Sequence, residues 1–156
     1  MCWQCDNPDL TKADYLRHVL AVVAEFGWMV QGVEAWSPHP PWAYTIGLSK
    51  FGLPELVATG LELPEAGRLL NTMAAHSIHA EPPEPGEHIP LIGGPEIEVV
   101  RLAEPSAHLV FAVALYGPEI EALQLVHADD AGRWPWSVDF RDGAGGQPVL
   151  GERHHG

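Results

Sequence analysis

Apolar positions between residues 14 and 26 recur at helical spacing. Leu16, Val19, Leu20, Val23 and Phe26 share one stripe, which predicts a helix with one buried face. Thr11 followed by Asp14 forms a capping arrangement before it, and Gly27 supplies the stop. A second stripe, Ala66, Leu69, Leu70, Met73, Ala74 and Ile78, follows Pro64, a residue suited to a first helical turn. A third helix is expected after Ser106, with Leu109, Val110, Val113 and Ala114 on one side and Gly117-Pro118 ending it. A buried strand over residues 109–115 is the alternative, because so short an apolar run fits either.

Between these segments the period changes from helical to alternating. Residues 28–36 are β-compatible. In residues 43–48, Tyr44, Ile46 and Leu48 share one face, and Ala43, Thr45 and Gly47 the other. Small residues on that second face let a neighbour approach closely. Strands are also expected over residues 55–61, 97–103 and 122–127, and a turn at Asp129-Asp130-Ala131-Gly132. Residues 81–95 hold Pro82, Pro83, Pro85, Pro90 and Pro95 with Gly86, Gly93 and Gly94. They predict a long loop with a short extended piece over 88–92, and loops of that length are often functional. The Gly-rich tail, residues 141–156, is expected to be loose apart from Pro148-Val149-Leu150. Helices and strands mix without a strict βαβ rhythm. The expected fold is therefore α+β: one domain over 1–156 with a mainly antiparallel sheet or partial barrel and two or three packed helices. Its expected core includes Leu16, Val19, Leu20, Val23, Ile46, Leu48, Leu69, Leu70, Met73, Val99, Val110 and Leu125.

Composition narrows the class. Hydrophobic residues make up 46% of the 156, enough for one core, so global disorder is excluded. Lys+Arg number 8 against 21 Asp+Glu, a net charge of −13, which repels phosphate backbones and excludes nucleic acid as an expected partner. No apolar run approaches the ~18 residues of a membrane span. The N-terminal residues lack the basic and apolar regions of a signal peptide, so no membrane partner and a cytoplasmic location are expected.

A series of motifs carries a family resemblance. In order they are Cys2-x-x-Cys5, Gly27-Trp28, the run Pro41-Trp42-Ala43-Tyr44-Thr45-Ile46-Gly47-Leu48, and Pro54-Glu55-Leu56-Val57-Ala58-Thr59-Gly60-Leu61. Then come Leu69-Leu70-Asn71, Ala122-Leu123-Gln124-Leu125-Val126, Asp129-x-x-Gly132-Arg133-Trp134-Pro135-Trp136, and Gln147-Pro148-Val149-Leu150-Gly151. This order resembles the bacterial domain of unknown function family 4262 over nearly the whole chain. The resemblance implies a small single-domain bacterial protein and no particular reaction.

The candidate chemistry is of three kinds. Cys2 and Cys5, in the N-terminal segment 1–10, have the spacing of two thiolate ligands, and a zinc-type site is expected there with its other ligands open. Redox work and a plain tucked-in terminus are the competing uses of the pair. His76 and His79 share a helix face and could also clamp an ion. Trp42 and Tyr44, and again Trp136, sit among prolines that hold aromatics in place, which suits a pocket wall or a partner surface. Thr45, Gln124 and Arg133 are the expected polar ligand-binding groups, and Glu55 and Asp129 the candidate general bases. Tyr44, Glu55, Arg133 and Trp136 are expected to converge on one concavity. The expected function is a metal-binding enzyme or accessory protein acting on a small molecule or peptide. A non-enzymatic protein-interaction module and a flavin-binding, split-barrel-like protein are the alternatives. No nucleotide-loop, zinc-protease or hydrolase-elbow motif occurs, so the residues do not decide whether the chain is an enzyme.

Overall fold

The computed structural model describes residues 11–35, 38–91 and 94–153. Thr11 and Asp14 form the capping box before α1 (Lys12–Phe26). Strands β1 (Met29–Val33) and β2 (Trp42–Ile46) follow, then a 3-10 turn (Leu48–Phe51), β3 (Glu55–Thr59) and α2 (Leu63–His79). The proline-rich segment ends in β4 (His88–Pro90), which leads to β5 (Glu96–Leu102), α3 (Pro105–His108), α4 (Val110–Tyr116) and β6 (Ala122–His127). A second 3-10 turn (Phe140–Gly143) and β7 (Gly151–Glu152) complete the order.

The strands form one open seven-stranded sheet in the order β1-β2-β3-β6-β5-β4, with β7 also on β5. Every pairing is antiparallel except β3 with β6. Alternation along the strands divides the core between two faces. On the first, α2 sets Ala66, Leu70, Met73 and Ala74 against Ala43, Ala58, Leu56, Val99 and Leu125. The small Ala43 and Ala58 let α2 lie close to the sheet. On the second, Tyr15, Val19 and Val23 of α1 and Ala112 of α4 cover Tyr44, Ile46, Val57 and Ala122.

Three expectations about the helices need correction. The third helix is broken: Leu109 stands between α3 and α4 with a non-helical backbone (φ −105°, ψ 57°) and its side chain fully buried. Burying Leu109 turns Val110 outward, so Val110 is exposed rather than core. Leu20 is also exposed, because Tyr15, Val19 and Val23 already fill the contact of α1 with the sheet.

The tail is docked, not loose, as far as residue 153. Gln147 brackets the His127 backbone, accepting from its N–H at 3.0 Å and donating to its carbonyl at 2.8 Å. The Pro148 carbonyl accepts from Thr59 Oγ1 at 2.6 Å and from Gln124 Nε2 at 2.8 Å, and Leu150 N–H donates to Gln124 Oε1 at 2.7 Å. At Gly60 the tail passes so close that a Cβ would lie 2.3 Å from the Gly146 carbonyl oxygen, so only glycine fits there.

Candidate functional site

The carboxylate of Glu55 points into the protein. It is fully buried, at the start of β3. Oε1 accepts from Thr45 Oγ1 at 2.8 Å and Leu48 N–H at 3.2 Å. Oε2 accepts from Gly47 N–H at 3.2 Å, Ser49 N–H at 2.9 Å and Ser49 Oγ at 2.6 Å. Thr45 Oγ1 in turn accepts from Leu56 N–H at 2.8 Å. The glycine at 47 makes this wrap possible: its φ is 126°, and a Cβ would lie 2.8 Å from the Gly27 carbonyl oxygen. Acting as a base, Glu55 would first have to release those donors.

Asp129 is a hub of the same kind. Oδ1 accepts from Ala131 N–H at 2.9 Å and Arg133 N–H at 2.8 Å. Oδ2 accepts from Arg133 Nε at 3.0 Å and Arg141 N–H at 2.7 Å. Burial pushes this carboxyl up, but the N–H groups of Arg141, Arg133 and Ala131 and the Arg133 charge outweigh it and bring the pKa down to about 2. Arg133 is consumed in the same loop, donating through Nη2 to Asp142 Oδ1 at 2.9 Å.

The remaining expected ligand-binding residues are also engaged. Tyr44 is buried beneath α4, its hydroxyl accepting from Phe111 N–H at 3.1 Å, and burial pushes its phenol well up. Trp42 Nε1 donates to the His108 carbonyl at 3.1 Å. Gln124 clamps the tail with both ends of its amide. Tyr44 and Trp136 do not meet, since Trp136 stands over the β5 edge and β3 and β6 separate β2 from β5.

Trp136 belongs instead to a closed ring of contacts. It stacks on Trp134 with centroids 5.3 Å apart and planes 4° apart, and the Arg153 guanidinium lies 3.8 Å over its ring. Arg153 donates to both oxygens of Glu98, at 2.7 and 3.0 Å. Glu98 Oε1 also meets His88 Nε2 at 2.7 Å, and His88 packs edge-on to Trp134 with centroids 5.5 Å apart. The ring therefore joins β4, β5, the tail and the 129–142 loop. The Arg153 hydrogen bonds lead in holding the Glu98 carboxyl below its ordinary range, against burial. The bond from His88 Nδ1 to Glu96, at 3.0 Å, leads in raising the His88 imidazole, with Glu98 adding to it.

The opposite side of β4 is unlike this. There the C-terminal half of α2 and the proline-rich segment enclose a cleft of about 260 Å³. Met73, Ile89 and Leu91 give it apolar surface, and Pro82 and Pro83 a stiff wall. Thr72, His76, Glu81 and Glu87 supply its polar rim. Glu87 Oε1 accepts from Glu84 N–H at 3.1 Å. Among the described residues, no hydrogen bond or ion pair engages the side chain of His76 or Glu81. Sequence reasoning placed a functional loop at 81–95 and named His76, but not the two glutamates. A Glu in a proline-rich loop reads as an ordinary solvated charge until a helix is seen to face it.

Cys2 and Cys5 lie outside the described residues. Among the described residues no group of three or more His, Cys, Asp or Glu is placed to hold a metal ion, and His76 and His79 gather no third ligand. No helix among the described residues is long and apolar enough to cross a membrane.

The fold defines an α+β domain built on one open, mostly antiparallel sheet. The model of a domain of unknown function (DUF4262) matches residues 22–141, and the chain belongs to that family. The matched span holds the cleft, Glu55 and Asp129; Gln147 and Arg153 lie beyond it. No curated protein and no solved structure matches the chain.

Proposed function

We propose that this protein is a binding domain that takes a small molecule or a peptide side chain in the cleft between α2 and the 81–91 segment. One observation carries this reading. The cleft combines an apolar floor with His76 and Glu81, whose side chains make no hydrogen bond or ion pair among the described residues. A few free polar groups around an apolar concavity are what orients a ligand. Thr45, Glu55, Gln124 and Asp129, by contrast, are held by internal hydrogen bonds. Catalysis at Glu55 or Asp129 would require breaking the structure that presents them.

The test is a fragment screen read by methyl NMR, with Thr72→Trp as a variant that fills the cleft from an exposed position. Bound fragments are expected to move the Met73, Ile89 and Leu91 methyl signals, and Thr72→Trp to abolish binding. Fragments that move Trp134 and Trp136 instead, with the cleft methyls unchanged, would shift the function to the aromatic surface and the interaction-module alternative.

A further inference from the structure

Resting on the binding role given to the cleft, we infer that its ligand is an amphipathic cation: an ammonium or guanidinium group on a short alkyl stem, as in lysine or arginine. Two features of the cleft act together. Met73, Ile89 and Leu91 offer a stem an apolar bed, where each methylene removed from water favours binding. At the rim stand Glu81 and Glu87, and no lysine or arginine lines the cleft to neutralise them.

Ligands of other charge fit less well. A neutral apolar ligand would strip water from the rim carboxylates and return no hydrogen bond. An anion would meet both carboxylates on a chain of net charge −13. A cation is drawn in by that same field and pairs on arrival. The bond from Glu84 N–H to Glu87 Oε1 steadies that carboxylate and leaves its second oxygen to accept from the ligand. The His76 imidazole adds a further polar group to the lining. Lysine and arginine are the side chains that join an apolar stem to a cationic head.

The experiment titrates the protein with N-acetyl-lysine methylamide, the arginine analogue, n-butylammonium, and two controls: the norleucine analogue, with a similar stem and no charge, and the glutamate analogue. Met73, Ile89 and Leu91 methyl signals report binding. The lysine and arginine probes are expected to bind at least about tenfold more tightly than norleucine, a difference of about 1.4 kcal/mol. Added salt should weaken them and leave norleucine unchanged. The double variant Glu81→Gln, Glu87→Gln should bring lysine down to the norleucine level. n-Butylammonium equal to the blocked lysine would assign a free amine as the natural ligand, and a clear preference for the blocked lysine a peptide side chain. Norleucine or glutamate binding as tightly as lysine, or lysine indifferent to the double variant, overturns the cation and leaves the cleft reading standing. No methyl shift with any of the five probes overturns both.

Discussion

On one side of β4, His88 meets Glu96 and Glu98, Glu98 meets Arg153, and Arg153 covers Trp136. On the other side, Ile89 and Leu91 face a cleft whose His76 and Glu81 side chains make no hydrogen bond or ion pair among the described residues. A three-residue strand thus divides charge that the fold uses from charge that it leaves open. Where charges are paired and stacked, removing one harms the molecule. Where they are open, removing one harms only what binds. Glu55 and Asp129 lie with the first group, although as isolated residues they resemble the second.

The largest test of this division is Glu55→Leu. It leaves the N–H groups of Gly47, Leu48 and Ser49 and the Thr45 and Ser49 hydroxyls facing an apolar side chain. Urea denaturation should register a loss of about 3–5 kcal/mol. Glu55→Gln restores one acceptor and turns an NH2 toward the same donors, so it should recover only part of that. A loss below about 1 kcal/mol would show that the carboxylate is open and return it to the candidate catalytic groups.

Next comes a pH effect that sets His127 against His88. His127 is buried, with Nε2 accepting from Arg141 Nη2 at 3.1 Å and Nδ1 without a partner among the described residues. Burial, then the Arg141 charge, brings its pKa down to about 4. Its contribution is intact above the unfolded value of 6.5 and is lost as pH falls toward about 4. A shift of that size corresponds to about 3 kcal/mol. His127→Phe should therefore flatten the stability profile between pH 6.5 and 4. His88 has the opposite sign. Its raised pKa means a contribution complete below 6.5 and lost as pH rises through the folded value. His88→Gln should remove that alkaline decline and leave the acid limb unchanged. Denaturation midpoints taken from pH 4 up through the raised His88 value decide both, and a His127→Phe profile identical to the parent's would break the assignment.

Glu98→Gln should cost about 1–3 kcal/mol, because it removes the charge that Arg153 and His88 share. Trp136 fluorescence should change with it, since Arg153 loses the partner that holds it over the ring. An unchanged spectrum at full stability would show that the ring of contacts is not closed in solution. The smallest effect is expected across the strand: Glu81→Gln and Glu87→Gln should each move stability by no more than about 0.5 kcal/mol. A larger loss from either would place that glutamate with the fold.

Much of the architecture was legible along the chain. The stripes on α1 and α2, the alternation in β2 and the cap at Thr11 all act between residues a few positions apart, where period and local hydrogen bonding leave a trace. The site residues were less so. Tyr44, Glu55, Arg133 and Trp136 are chemically suited to a pocket, yet Glu55 is spent on the turn at Gly47 and Trp136 on Arg153. Residue type says what a group can do and not whether a partner has already claimed it.

The sequence by itself determined the α+β class, the two amphipathic helices, the strands other than β7 and the net negative charge, because local periodicity and charge count decide them. The tertiary structure alone decided that the tail crosses to Thr59 and Gln124, and that Leu109 breaks the third helix. It also brought His88, Glu98 and Arg153 to one point and set Glu81 opposite α2. Each of these depends on which distant backbone arrives beside a polar group. That is set by the packing of two cores on one sheet, and no local pattern records it.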